Sequence, residues 1–191
     1  MDALIVDGWP GLAIPTAICP GDTSQFNEST ILSAIFDLIG TTTKWCFECG
    51  ADRPDELSNT KLFRDRGWHE CLIERNADRI PALQAAISPP SRVIHSEIKS
   101  GADLDALLVD LPHPIDLGVI DIDSFDYWCW HDLHVQPRVM VVEYWMSGEY
   151  LPKRGEDHQA GPQALIALAR SKGYIPVCST RVNLISVHRD A

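Results

Sequence analysis

At 191 residues, with 45% hydrophobic and 23% charged side chains, the chain has the make-up of one globular domain, large enough to build a core without disulfide or metal staples. Lys and Arg number 16 against 27 Asp and Glu; the resulting net charge of −11 repels phosphate backbones and argues against a general nucleic-acid binder. No run approaches the ~20 apolar residues that span a bilayer, and Met1-Asp2-Ala3-Leu4 lacks the basic start of a secretory signal, so a cytoplasmic protein acting on a small molecule is expected.

Residues 1–23 are rich in Pro and Gly and read as an irregular arm with a short strand near Leu4–Val6. Ile31, Leu32, Ile35, Phe36, Leu38 and Ile39 recur at helical spacing, which predicts a helix within 24–40, capped by Ser24 or Asn27 and closed by Gly40. A core over 44–188 then alternates between two periods. Trp45–Cys49 reads as a buried strand closing at Gly50, Ser58–Arg66 as a helix, and Glu70–Glu74 as a second strand. Ala77–Ile87 fits a helix, Ser91–His95 a third strand, and Leu104–Val109 a short helical turn. Leu117–Asp123 is a fourth strand, Phe125–Leu133 a helix, and Arg138–Tyr144 a fifth strand. Residues 146–160 form a long polar loop, and Pro162–Ser171 a helix with proline in its first turn. Ile175–Ser179 and Leu184–His188 close the chain as an antiparallel hairpin turning at 180–183. This order predicts a single α/β domain over 1–191, with a mostly parallel sheet covered by helices on both faces.

In open α/β sheets, ligands bind beyond the carboxyl ends of the strands, where the strand order reverses. Polar groups stand at all five parallel ends. The first strand ends in Glu48-Cys49-Gly50-Ala51-Asp52, where Gly50 allows a sharp turn and close approach to a ligand. Glu74 ends the second strand, at the spacing from which a carboxylate reaches ribose hydroxyls. His95-Ser96-Glu97 ends the third. Asp121 and Asp123 fall on one face of the predicted fourth strand, and two buried acids cost free energy unless paired, hydrated or ligand-bound. Asp126 reads as a helix cap. Glu143 ends the fifth strand. His95, His131 and His158 read as solvated or hydrogen-bonded, and Trp128 and Trp130 as packing. The six cysteines read as reduced, buried thiols; Cys46 and Cys49 point to opposite faces of a strand, which suits neither a redox pair nor zinc. No metal-ligand set is assigned, although Asp123 and Glu143 at adjacent tips suit Mg2+ as well as they suit sharing a proton. The Gly-x-Gly-x-x-Gly signature of nicotinamide enzymes is absent after the first strand.

The runs Phe47-Glu48-Cys49-Gly50-Ala51-Asp52, Leu57-Ser58-Asn59-Thr60, Gly67-Trp68 and Leu72-Ile73-Glu74 resemble the front half of FkbM-like, S-adenosylmethionine-dependent methyltransferases (class I). Ile120-Asp121-Ile122-Asp123-Ser124-Phe125-Asp126-Tyr127-Trp128 is similar to that group's fourth-strand motif, and the resemblance extends over about residues 28–188. It implies a Rossmann-like methyltransferase fold with a seven-stranded sheet. It also implies that Glu48, Gly50 and Ala51 lie by the methionine part of S-adenosyl-L-methionine, Glu74 by the ribose, and Ser96 and Glu97 by the adenine. Asp52 and Asp121 complete the expected cofactor-binding set. Where such loops usually carry a second glycine this chain has Arg53-Pro54, which predicts a bulky group facing the cofactor. The expected reaction is O-methylation of a small-molecule acceptor, with Asp123 as base or orienting group, Glu143 assisting, and Lys153, Arg154 and His158 closing over the acceptor. The alternatives are a non-catalytic nucleoside- or partner-binding module and a metal-dependent hydrolase built on Asp121, Asp123, Asp126 and Glu143.

Overall fold

The computed structural model describes residues 3–145 and 148–191. Residues 1–2 of the arm and 146–147 of the long loop lie outside the described residues. The eight strands among the described residues are β1 (Leu4–Ile5), β2 (Trp45–Cys49), β3 (His69–Glu74), β4 (Arg92–His95), β5 (Leu117–Ile120), β6 (Val139–Glu143), β7 (Tyr174–Ser179) and β8 (Asn183–His188). They form one sheet in the order β1-β7-β8-β6-β5-β2-β3-β4. The pairs β4–β3, β3–β2, β2–β5 and β5–β6 are parallel. Strand β8 runs antiparallel between β6 and β7, as the closing hairpin predicts. The chain builds outward from β2 to β4, then returns to the other side of β2 at β5, which sets the reversal of strand order between β2 and β5.

Among the described residues six helices, α1 (Glu28–Ile39), α2 (Lys61–Asp65), α3 (Ile80–Ala86), α4 (Gly101–Leu108), α5 (Asp126–Asp132) and α6 (Pro162–Ser171), supply the crossovers and the cover. Every residue of β2 and β6 is buried, so neither strand alternates polar with apolar. On one face, Ile31, Leu32, Ile35 and Phe36 of α1 and Phe63 of α2 pack on Cys46, Val119, Val141 and Ile185. On the other, Leu104 and Leu108 of α4, Trp130 of α5 and Leu165 of α6 pack on Phe47, Ile73, Met140 and Leu184. Cys46 and Cys49 fall in these two different clusters, as the strand period requires. No helix among the described residues is long and apolar enough to cross a membrane.

The structure corrects several boundaries. The sheet has eight strands rather than seven, because Leu4–Ile5 adds an antiparallel edge to β7. Strand β5 stops at Ile120, not Asp123, since the Asp126 carboxylate takes the Ile122 N–H at 2.8 Å and Asp123 turns to φ 66°. Asp121 and Asp123 are therefore loop residues, and the alternation of a strand does not place them. Helix α2 is shorter than 58–66 because Ser58 and Thr60 turn their hydroxyls to Glu48. The turn expected at 104–109 is a full helix, α4, opened by a reciprocal capping box between Ser100 and Asp103. At the entry of α1, Asn27 caps nothing with its side chain; Ser24 and Asp22 take the N–H groups of Ser29 and Thr30 instead.

Below the sheet, at its amino end, Asp116 is fully buried and accepts the N–H groups of Thr42, Thr43 and Lys44 and the Arg138 guanidinium at 2.8 Å. Asp116→Ala strands those donors and is expected to lower unfolding free energy by roughly 3 kcal/mol. Urea denaturation monitored by tryptophan fluorescence measures this; an unchanged midpoint would show that the staple is dispensable.

Candidate functional site

At the carboxyl ends of the parallel strands the tips of β2 and β5 lie side by side. Cys49 O accepts Asp121 N at 3.0 Å, while Ile73 O takes both Gly50 N at 2.9 Å and Ala51 N at 3.2 Å. Gly50 has φ 88°, and a Cβ there would lie 1.6 Å from the Asp121 carbonyl oxygen. Only glycine fits both the left-handed backbone and the close approach. Above this contact opens a crevice of about 440 Å³. The ten residues expected to bind cofactor or take part in catalysis line it: Glu48, Gly50, Ala51 and Asp52 from the tip of β2, Glu74 from β3, Ser96 and Glu97 from beyond β4, Asp121 and Asp123 from beyond β5, and Glu143 from β6; Lys153, Arg154 and His158, expected to close over the acceptor, do not.

Two of the acids also brace the crevice. Glu74 accepts Asp52 N at 2.9 Å and Asn76 N at 2.6 Å, tying the β2 loop to the tip of β3 and leaving further lone pairs for a ligand. Glu48 is buried and accepts Ser58 Oγ at 2.8 Å, Asn59 N at 2.7 Å and Thr60 Oγ1 at 2.6 Å. The Ser-Asn-Thr element is thus a cradle for Glu48. Burial pushes the Glu48 carboxyl up to about 7 even against these three donors, which favour its charged form. Asn59 Oδ1, in the same element and lining the crevice, is buried without a partner.

Across the crevice, oxygens of Asp121, Asp123 and Glu143 lie within 4.8 Å of one another. Gln159 Nε2 donates to Glu143 Oε2. Burial first, then the charge of Asp121, push Glu143 well above the usual carboxylate range, and burial raises Asp121 as well. Each member's charge thus opposes the ionisation of the other. Asp123 is the exposed member, held at φ 66°. Asp126 is not the helix cap; Phe125 occupies that position, and Asp126 opens α5 wholly buried, with its carboxyl pushed up to about 8 by burial. Its Oδ1 holds the Ile122 N–H, and its Oδ2 has no partner.

Glu28, a residue sequence reasoning passed over, lies behind the cluster. It opens α1 fully buried, accepting Thr180 Oγ1 at 2.7 Å, Asn183 Nδ2 at 3.1 Å and Phe26 N at 2.8 Å. Its one sequence signal is an acid beginning a helix whose following residues are apolar. Gln25, Trp145 and Asn183 also line the crevice and were missed. Arg53 is not itself among the crevice-lining residues; its guanidinium pairs with Glu56 and Asp52, which are. His95, His131 and His158 do not line the crevice either. Arg154, expected over the acceptor, pairs with Asp132 at 2.6 Å and stacks 4.4 Å from the Trp128 ring. Trp130 packs edge-on against Tyr174 in the core, as expected for packing rather than ligand stacking.

No protein-family model and no curated protein sequence matches the chain. Among solved structures, the N-terminal domain of EvdMO1 with SAH bound aligns with a TM-score of 0.53 at 12% identity, over 87% of this chain and 83% of that one. CalO1, described as a methyltransferase in calicheamicin biosynthesis, SAH-bound form, aligns with a TM-score of 0.44 at 15% identity, over 83% of this chain and 55% of that one. The EvdMO1 match shows that this chain shares the fold of a domain that binds SAH.

The raised pKa of Glu48 has a signed consequence. Between its ordinary value near 4.5 and about 7, the folded chain binds this proton and the unfolded chain has lost it, so Glu48 favours folding less as pH rises through that window. Glu48→Gln removes this dependence. The stability of the wild type relative to the variant is expected to fall by roughly 3 kcal/mol across the window. Urea melts of both proteins at intervals from pH 4.5 to 7.5 test this; parallel profiles would mean that Glu48 ionises as an ordinary carboxyl.

Proposed function

We propose that the chain is an S-adenosylmethionine-dependent methyltransferase of the FkbM-like kind, acting on an oxygen of a small-molecule acceptor. The observation that carries this reading is the convergence of Gly50, Glu74 and Asp123 on one crevice at the reversal of strand order, within a fold whose EvdMO1 counterpart binds SAH. The residues present suit the cofactor. A crevice of about 440 Å³ has the size of small-ligand sites. Its lining holds eight acids, among them Glu56 and Glu97, against Arg75 as the one Lys or Arg among the described lining residues, which favours a donor bearing a sulfonium and an amino group. Asn59 Oδ1 is a buried acceptor in need of a donor.

In this reading Glu74 holds the ribose hydroxyls, the Gly50–Asp52 backbone and Asn59 hold the methionine part, and Ser96 and Glu97 flank the adenine. S-Adenosylmethionine, when bound, supplies a methyl group on a positively charged sulfur, a donor that needs little activation. The protein's task is to align the acceptor and manage its proton. Asp123, the exposed member of the cluster, orients the acceptor hydroxyl and takes up its proton, and Glu143 with Asp121 supports it. Asp116, Glu48 and Glu28 serve the architecture that holds these tips in register. The carboxylate cluster also suits a metal-dependent hydrolase, which would turn over phosphate or carboxylic esters with Mg2+ and show no affinity for S-adenosylhomocysteine.

Calorimetric titration with S-adenosylhomocysteine is expected to show one site per chain, and the absence of binding would remove the reading. Glu74→Ala is expected to weaken that binding by at least about 1.5 kcal/mol, the loss of a charge-assisted hydrogen bond; unchanged affinity would take Glu74 out of the site. Asp123→Asn is expected to bind S-adenosylhomocysteine normally while losing label transfer from methyl-labelled S-adenosylmethionine in an acceptor screen that the wild type passes.

A further inference from the structure

Asp121, Asp123 and Glu143 bring three carboxylates together at one end of the crevice, with oxygens within 4.8 Å of one another. Like charges so close repel strongly in a half-buried site unless something positive lies between them. A second observation points to what that is. Asn183 stands directly across the β6–β8 ladder from Glu143 and lines the same crevice. It is 1% exposed. Its Nδ2 is committed to Glu28 at 3.1 Å, which leaves the other arm of the planar amide, Oδ1, buried without any partner. A buried amide oxygen without a donor is costly, and an amide oxygen on the residue paired with Glu143, added to three clustered carboxylates, is the kind of oxygen donor set that hard divalent cations prefer.

We propose that Asp121, Asp123 and Glu143, with Asn183 Oδ1, form a binding site for a hard divalent cation of the magnesium type. Such an ion sits ~2.1 Å from its oxygens and keeps several waters, so three or four protein ligands on one side, open toward the crevice on the other, fit its habit. Gln159 Nε2 donates to Glu143 and orients it, as outer hydrogen bonds orient ligating carboxylates. Asp123 turns through a left-handed backbone, φ 66°, to present an exposed carboxylate at the mouth of the site. The cation site stands on these groups whether or not the chain transfers methyl groups. Its catalytic use rests on the function proposed above: a bound ion takes an acceptor hydroxyl into its open positions and lowers the pKa of that hydroxyl.

The test uses the full chain stripped with a chelator. Titration with Mn2+, followed by loss of the free-ion electron paramagnetic resonance signal, is expected to show one tight ion per chain, displaced by Mg2+. Asp123→Asn and Glu143→Gln are each expected to weaken Mn2+ at least tenfold. Affinity for S-adenosylhomocysteine, measured in the same samples with chelator present, reports whether the crevice is intact. Mn2+ remaining free up to millimolar protein and metal, or variants binding as the wild type does, overturns the cation site. Ion binding without S-adenosylhomocysteine binding upholds the cation site and removes the methyltransferase reading; the reverse result removes the cation site alone.

Discussion

The backbone of Gly50 lies against the carbonyl of Asp121 more closely than any side chain would allow, and the geometry of the crevice follows from that approach. The turn after β2 bonds to Ile73 of β3 on one side, while Cys49 holds Asp121 beyond β5 on the other. One tight turn therefore sets the separation of the two neighbouring tips. Glu74 then fixes the β2 loop from the side of β3, and Asp126 fixes the Asp121–Asp123 loop from the side of α5. The crevice walls are loops, but each is pinned by a buried carboxylate on an adjoining strand or helix, and such pinning preorganises a site.

Buried acids are the recurring device. Asp116, Glu28, Glu48 and Asp126 lie in the interior at four different levels of the fold. Three of them are satisfied by backbone amides, hydroxyls or a guanidinium, which offsets the cost of removing a carboxyl from water. Asp126 is the exception, with one oxygen left alone beside the cluster of Asp121 and Asp123. The unpaired polar atoms of the crevice region, Asn59 Oδ1, Asn183 Oδ1 and Asp126 Oδ2, thus gather where ligands are proposed. Outside the crevice, buried Glu70 likewise keeps one oxygen, Oε1, without a partner.

The sheet and the convergence of strand tips were legible because period and punctuation agree along this chain: apolar runs close at Gly50, Glu74 and Glu143, and the helices between them carry an apolar face. The edge strand β1 was legible as well, as a short extended piece in the arm. What the sequence hid is tertiary. The register of Leu117–Asp123 read as continuous strand because nothing local reveals that Asp126 will claim the Ile122 amide. The pairing of Arg53 with Glu56, three residues on, was hidden because it depends on a loop whose path the sequence does not disclose. Glu48 lines the crevice as expected, but its bracing role was hidden, because the hydroxyls that hold it come from Ser58 and Thr60, beyond an intervening turn. Glu28 was missed altogether, because its partners lie 152 and 155 positions away.

That last separation bears on how the protein is made. Helix α1 emerges early in synthesis, yet the carboxylate at its start takes its side-chain donors from Thr180 and Asn183 of the closing hairpin, with the Phe26 N–H as its local partner. Contacts of such high sequence separation form late, after the entropy of closing a long loop has been overcome. Without them Glu28 has the Phe26 N–H and water as its donors. Glu143 likewise gains its antiparallel neighbour Asn183 only when β8 arrives. The back wall of the crevice therefore joins segments far apart in sequence: Glu143 of β6 faces Asn183 of β8, and Asn183 in turn holds Glu28 at the start of α1.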